Sequence, residues 1–441
     1  MDCRLPVWIA ACRYAGPLCF FAYLSTYIID SMIGRNRYFR RSTARVIMAA
    51  LLIAVVVLPA AAATAPSVAW NVTFSPEENC KFDAVVNTAD GGYIALGSAL
   101  TKAIGGRSDL LLVKTDRQGG EVWMERIPDI EAASIRETAG GGYIIGGYNI
   151  TAAAPGDDAR YQGSSFLIRF DAGGEEVWRQ ILPGEKVSAV LPTADGGYAA
   201  IGWLWNPPGS IDDTSAIITK TDADGKHVWN RTFPATAANA GIVTSDGGYV
   251  IGGTKSPFTY DIGDAFLIRL DADGNTLWYR NYAVPVIFDI EEAPDGRIAY
   301  SGNYWYGLVD AEGDEVWLRN MEGFAGYAIV PRPAGGYMIA GKDIRSGEGF
   351  ALGTDGDGAI EWRTTYSEAA VYAAVSAPDG GYTLAGIHFL SPFSSAAWLA
   401  NLEEEEEVTP TPISTPAAPG FGAAAAGVAL LLLVAKRRQR D

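Results

Sequence analysis

Residues 246–278 read DGGYVIGGTKSPFTYDIGDAFLIRLDADGNTLW. An Asp-Gly-Gly-Tyr turn (Asp246 to Tyr249) opens a short apolar strand that ends in Gly. A variable stretch follows, and then a second apolar strand, Phe266-Leu-Ile-Arg-Leu270. Asp271-Ala-Asp-Gly274 makes another turn, and a strand carrying Trp278 closes the unit. Asp-Gly and Gly-Gly between apolar runs signal hairpins, because Gly tolerates positive φ at no steric cost. With an inner strand before Asp246, the unit holds four strands in two hairpins.

The unit recurs. Its first turn reappears as Asp90-Gly-Gly-Tyr93, Gly140-Gly-Gly-Tyr143, Asp195-Gly-Gly-Tyr198, Asp295-Gly-Arg-Ile298, Ala334-Gly-Gly-Tyr337 and Asp379-Gly-Gly-Tyr382. Successive fourth positions are 50, 55, 51, 49, 39 and 45 residues apart. The second half reappears as Leu110–Trp123, Phe166–Trp178, Ile217–Trp229, Tyr306–Trp317 and Phe350–Trp362. Periods of roughly 40–50 residues with four strands each predict propeller blades. The seventh copy, Val371–Leu402, lacks a Trp strand, while an orphan Trp70-Asn-Val-Thr-Phe74 precedes the first. The orphan matches Trp229-Asn-Arg-Thr-Phe233 and can complete the last blade, closing the ring and removing open edges. The expected fold is therefore all-β: a seven-bladed β-propeller over 64–402 with velcro closure, its Trp residues packed between blades.

The repeats resemble those of archaeal and bacterial surface propellers, including PQQ-type repeats. That resemblance implies fold far more than function.

Composition suits an exported domain. The formal net charge is -17, and seven Arg fall within residues 1–64, so the propeller region is strongly acidic. Such a surface repels nucleic acid and anionic headgroups. Of the four Cys, only Cys80 follows residue 63, so no internal disulfide is expected and core burial must supply stability.

Both ends read as processing signals. Arg35, Arg37, Arg40, Arg41 and Arg45, the apolar run Val46 to Leu58 and Ala61-Ala-Ala63 form the basic, apolar and small-residue parts of a secretory signal. Residues 1–63 are thus a signal region, within which 1–31 is either an extra membrane segment or translated sequence upstream of a start at Met32. The second option gives a signal of ordinary length. Residues 403–418 form an acidic and Thr/Pro-rich linker, solvated and extended. Residues 419–441 hold Pro419-Gly420-Phe421, a short apolar run expected to form a membrane helix, and Lys436-Arg-Arg438. This tail resembles the PGF-CTERM sorting signal of archaeal surface proteins. The resemblance implies an archaeosortase-type processing enzyme as partner, removal of the tail near the motif, and a lipid in its place. Without that processing, the run would serve as a plain membrane anchor. Either way the expected location is the extracellular face of the cell membrane.

Strand order restricts where a ligand would sit. In a blade with strands A to D from the channel outward, the A–B and C–D connections here are tight turns. The B–C loops, 148–164, 202–214, 253–264 and 387–395, are long and variable, and scaffolded loops carry function. Trp203, Trp205, Tyr260, Tyr304 and Trp305, with Asp212 and Asp213, form a candidate ligand-binding set: rings stack on sugar C–H faces while carboxylates accept hydroxyl protons. Loop self-packing would use the same residues. Asn71, Asn149 and Asn230 head glycosylation sequons. Asp222-Ala-Asp-Gly, Asp271-Ala-Asp-Gly and Asp355-Gly-Asp-Gly358 space carboxylates as some calcium loops do, but they stand where hairpin turns are required and lack further ligands. No cofactor is expected. Only His227 and His388 follow the signal region, which argues against a His-based triad or metal cluster, and no catalytic constellation is visible. The expected function is a non-catalytic, membrane-tethered binding propeller for envelope glycan or another surface protein. The alternative is a secreted carbohydrate-active enzyme, a glycosidase or lyase using channel carboxylates.

Overall fold

The computed structural model describes residues 64–75, 79–100, 108–150, 163–184, 186–205, 214–234, 236–255, 265–378, 380–391 and 394–403. Strand β1 (Ser67–Phe74) comes first. A sheet of β2 (Cys80–Asn87), β3 (Tyr93–Leu100), β4 (Ser108–Thr115) and β5 (Glu121–Ile127) follows, and then one of β6 (Glu131–Glu137), β7 (Tyr143–Ile150), β8 (Gly163–Phe170) and β9 (Glu176–Leu182). The next two are β10 (Lys186–Pro192), β11 (Tyr198–Trp205), β12 (Thr214–Thr221) and β13 (His227–Pro234), and β14 (Ala237–Val243), β15 (Tyr249–Thr254), β16 (Ala265–Leu270) and β17 (Thr276–Tyr282). A larger sheet holds β18 (Ile287–Glu292), β19 (Ile298–Val309), β20 (Glu315–Pro331), β21 (Tyr337–Asp343), β22 (Gly349–Thr354) and β23 (Ile360–Tyr366). The last sheet contains β24 (Ala369–Ser376), β25 (Tyr382–Ser391) and β26 (Ser394–Glu403), with β1 paired antiparallel to β26 at its outer edge. The orphan strand thus hydrogen-bonds to the end of the array.

Counted as hydrogen-bonded sheets, the propeller has six blades, not the seven that the spacing predicted: five of four strands and one of six. The fifth and sixth repeats share the large sheet. The cause is the short 39-residue interval between Ile298 and Tyr337. Its tight turns at 310–314 and 332–336 remain, but no loop separates its other strands, so β19 runs on through Tyr304, whose φ is 66°, and β20 runs 17 residues without a break. The first part of β20 pairs with β19 and its second part with β21. The described residues contain no helix, and the expected signal region, linker and C-terminal membrane helix lie outside them.

Sheets bury both faces against their neighbours. Ile94, Leu96, Leu110 and Leu112 of one sheet pack with Ile135, Tyr143, Ile145 and Phe166 of the next. The Trp of each outer strand reaches forward to the following repeat. Trp70 meets Tyr93 at 5.9 Å, Trp123 meets Tyr143 at 6.1 Å, Trp178 meets Tyr198 at 5.9 Å and Trp229 meets Tyr249 at 6.1 Å. The same rings cover the second-turn glycines: a Cβ on Gly274 would lie 2.7 Å from Trp229. Each Trp–Tyr pair contributes about 0.5–1.5 kcal/mol beyond its buried area. The indoles are structural, as the sequence predicted. Cys80 is buried in the core beside Phe74 and Phe82.

The first turn is held from the third strand. Asp90 accepts hydrogen bonds from Thr88 Oγ1, the Gly92 amide and the buried Lys114 Nζ, while Gly91 takes a φ of 86°. Lys220 and Arg269 hold Asp195 and Asp246 in the same way. These bonds push all three carboxyls down to about 2; for Asp90 the Thr88 bond contributes most, and for the other two the basic side chain does.

Candidate functional site

Seven strands line an axial channel: β2, β6, β10, β14, β18, the second part of β20, and β24. Every one of them has a β-bulge at the same place. The extra residues are Asp83, Ala133, Ser188, Asn239, Phe288, Tyr327 and Tyr372. A bulge puts two residues opposite one on the partner strand and re-aims a side chain. Here the re-aimed residues line the channel. A glycine of the second strand faces each bulge, and it is required there. A Cβ on Gly97 would come 1.8 Å from the Lys81 carbonyl oxygen, and one on Gly202 would come 1.8 Å from that of Lys186.

Around this ring the chemistry divides into two arcs. One is aromatic: Phe288 meets Tyr327 at 5.0 Å and 41°, and Tyr327 meets Tyr372 at 5.7 Å and 52°. Lys342 lies 5.5 Å from the Tyr327 ring centre and 5.8 Å from that of Tyr372. The other arc is charged. Lys81 donates to Asp83 at 2.6 Å and sits over Tyr372 at 5.6 Å, which joins the arcs. Tyr148 donates its hydroxyl proton to Glu131, and Lys186 sits over the Tyr148 ring at 5.7 Å. Asn239 stands between the arcs and donates to the Ile287 carbonyl at 3.1 Å. The cavity enclosed is about 630 Å³. Small-molecule pockets span roughly 300–1,000 Å³.

Enclosure shifts the ionisable groups. Burial raises the Asp83 carboxyl, opposed by the charges of Lys81 and Lys186. Burial works against the Lys81 ammonium, but Asp83 outweighs it and Lys81 rises. For Lys186 burial prevails over the attraction of Asp83 and Glu131, and its value falls. The Tyr148 phenol rises, first through burial and then through its bond to Glu131. Asp289, Glu291 and Arg136 form a further group in the channel. Burial pushes Asp289 up to about 6, although it accepts the Ile329 amide at 2.9 Å. Burial and the Asp289 charge push Glu291 up to about 8. Burial lowers Arg136, with both carboxylates opposing.

The fold is that of a β-propeller, and solved structures agree. The chain is similar to the WD40 β-propeller domain of Doa1 (TM-score 0.53, 12% identity, covering 77% of this chain and 97% of that one). It is also similar to U3-55K (0.54, 10%, 76% and 100%) and to the WD40 repeats of RRP9 (0.51, 10%, 77% and 100%). No protein-family model and no curated protein matches the chain. At these identities the likeness shows the fold alone.

The sequence-predicted residues sit partly beside this channel. Trp203 and Trp205 end β11 as an edge-to-face pair, 5.4 Å apart at 85°, and both are half-buried. Trp203 is the strand partner of Lys186, so the pair stands one strand outward from the charged arc. Tyr304 is exposed at a positive-φ reversal, whereas Trp305 packs into the core with Ile242 and Trp278. They belong to a different sheet from Trp203 and Trp205. Tyr260, Asp212, Asp213, the Asn149 side chain and Pro419-Gly420-Phe421 lie outside the described residues. Asn71 is exposed on β1, and Asn230 is half-buried on β13. In the weighed calcium loops, Asp222, Asp271 and Asp355 each accept two backbone amides of their own turn. Among the described residues no group of three or more His, Cys, Asp or Glu is arranged to hold a metal ion.

Sequence reasoning missed Lys81, Asp83, Glu131, Lys186, Phe288, Tyr327 and Tyr372, because inner strands read as core. A signal was present. Each inner strand has a small or short residue after its bulge position, as in Phe82-Asp-Ala-Val85 and Gly326-Tyr-Ala-Ile329, and the next strand ends in the Gly that admits the bulge.

Proposed function

We propose that the chain is a non-catalytic binding propeller, displayed outside the cell and tethered by its C-terminal tail. The observation that carries the reading is the two-sided cavity: a concave aromatic arc facing a set of fixed hydrogen-bonding charges. A concave cavity of this size with convergent polar groups and shifted ionisable residues is the ordinary place to look for a ligand. The ligand is envelope glycan or a surface protein that presents it. Aromatic faces cover sugar C–H surfaces, and the charged groups meet hydroxyls. Display follows from the basic-apolar-small segment ending at Ala63 and from the Pro419-Gly420-Phe421 tail, which an archaeosortase-type enzyme would process. No cofactor takes part. The solved propellers with WD40 repeats support the general notion of an interaction scaffold and carry no ligand over.

The test is a screen of the detergent-solubilised full chain against arrayed envelope glycans and isolated surface proteins. Saturable retention of at least one class is the expected result; retention of none removes the reading. A second reading, carbohydrate cleavage, is favoured by the Glu291 carboxyl, whose value near neutrality suits an acid or base. Chain shortening of a retained glycan would establish it.

A further inference from the structure

Among the described residues, the outer strand of every repeat but one carries an arginine. β5 has Arg126, β9 Arg179, β13 Arg231, β17 Arg280, the first part of β20 Arg319, and β23 Arg363. A charged side chain on an outer strand discourages a second strand from adding to it. β1 is the exception. Ser67–Phe74 holds no charged residue, although it ends its sheet with one side paired to β26 and the other open. Where β13 reads Trp229-Asn-Arg-Thr-Phe233, β1 reads Trp70-Asn-Val-Thr-Phe74. Val72 thus stands in the place of Arg231, which lies over the Trp229 ring at 5.1 Å. The net charge of -17 does not replace the missing guard, because repulsion between exposed charges is screened beyond about 8 Å at physiological ionic strength.

What β1 carries instead is the sequon Asn71-Val72-Thr73. Trp70, Val72 and Phe74 pack with Phe82 and Tyr93. Asn71 and Thr73 alternate with them along the strand, so they point the other way, and both are exposed. The register adds access in time. Asn71 pairs with Ala400 on the last strand, so β1 stays unpaired until the rest of the array has been made. Asn230 differs on both counts: it is half-buried, and it pairs with Thr219 on the strand just before its own. We propose that Asn71 is N-glycosylated and that its sugar chain guards the β1 edge against pairing with a second copy. This rests on the export part of the reading above. The donor is an oligosaccharide joined through phosphate to a polyprenyl lipid. Asn71 Nδ2 attacks the first sugar's C1, and the C1–N bond forms as the C1–O bond to phosphate breaks. The amide proton passes to a base of the transferase, the lipid phosphate leaves, and nothing is oxidised or reduced. A bulky, hydrated chain rooted at Asn71 keeps other backbones away from the open side of β1.

Peptide and intact-mass spectrometry on the full chain isolated from its native cells tests this. The peptide holding Asn71 should carry added sugar mass, and the peptide holding Asn230 should carry none. Asn71→Gln and Thr73→Ala should lose the added mass, whereas Thr73→Ser keeps the sequon and should retain it. In light scattering, the Asn71→Gln chain should approach twice the mass of the parent chain as protein concentration rises. Asn71→Arg restores the charge that the other outer strands carry, so it should stay monomeric without sugar. An unmodified Asn71 on a chain whose first residue follows Ala63 overturns the proposal and leaves display standing. An unmodified Asn71 on a chain that keeps the signal region overturns both. Sugar on Asn230 in place of Asn71 is equally fatal. So is an Asn71→Gln chain that remains monomeric, or an Asn71→Arg chain that pairs as Asn71→Gln does, since either removes the guarding role.

Discussion

Gly202 lies so close to Lys186 that a Cβ on it would come 1.8 Å from the Lys186 carbonyl oxygen. The contact is backbone against backbone, so no side-chain rotation can relieve it. Gly202→Ala should therefore straighten the β10 bulge, move Ser188 out of the channel and cost about 1–3 kcal/mol or more, the range for overpacking. Urea denaturation measures the cost.

β1 closes the ring by pairing with β26 from Ser67↔Glu403 to Phe74↔Ala397. Deleting residues 64–75 removes that partner and the Trp70 ring from beside Tyr93. It leaves β26 as an open edge, which templates association with other chains. We expect a lower Tm and concentration-dependent oligomers in light scattering. A truncated chain that stays monomeric and keeps its full Tm would refute the closure.

One repeat carries an unmet need. Where Lys114, Lys220 and Arg269 each meet a turn Asp, Arg169 faces Gly140. Its Nη2 reaches the Gly141 carbonyl at 2.7 Å, but its buried Nη1 has no hydrogen-bond partner. A Cβ at Gly140 meets open space, and its φ lies outside the left-handed region. Gly140→Asp should therefore stabilise the protein by about 0.5–1 kcal/mol, a value kept low by the exposure of the turn. Thermal unfolding beside Ala at the same position separates the ion pair from loss of glycine flexibility.

The channel carboxyls fix a pH dependence. Glu291 and Asp289 hold their protons to about 8 and about 6 in the fold, above their ordinary values. A raised carboxyl binds more protons folded than unfolded, so stability falls as pH rises from about 4 through 6 and 8. Below about pH 4 both states are protonated and the effect is absent. Glu291→Gln should thus raise Tm by a few degrees at pH 9 and by almost nothing at pH 4–5. An equal rise at both pH values would show that packing, not ionisation, is responsible.

Tail processing makes a mass prediction. Protein extracted from its native membrane should lack the Lys436–Asp441 peptide and carry added lipid mass near Pro419. Intact-mass spectrometry reads both. Recovery of the terminal peptide without lipid leaves the plain-anchor reading.

The sequence by itself determined the strands, the two hairpins of each repeat and the closing role of Trp70. These depend on local rules: Gly in turns such as Gly91, alternation along strands, and an indole at a fixed place in each copy. Tertiary structure decided the rest. The 39-residue interval reads as one more repeat, yet the chain length it leaves forces β19 and β20 to run through and merges two repeats into one six-stranded sheet. The Trp203–Trp205 pair was legible because residues two apart on a strand share a side. The cavity was not. Lys186, Phe288, Tyr327 and Tyr372 come from different repeats, and local sequence carries no sign that ring closure sets them face to face. The bulges that aim Phe288, Tyr327 and Tyr372 inward each depend on a glycine fourteen residues further along the chain, such as Gly302 for Phe288. Only the pairing of the two strands turns that glycine from a break in a strand into the space a binding residue needs.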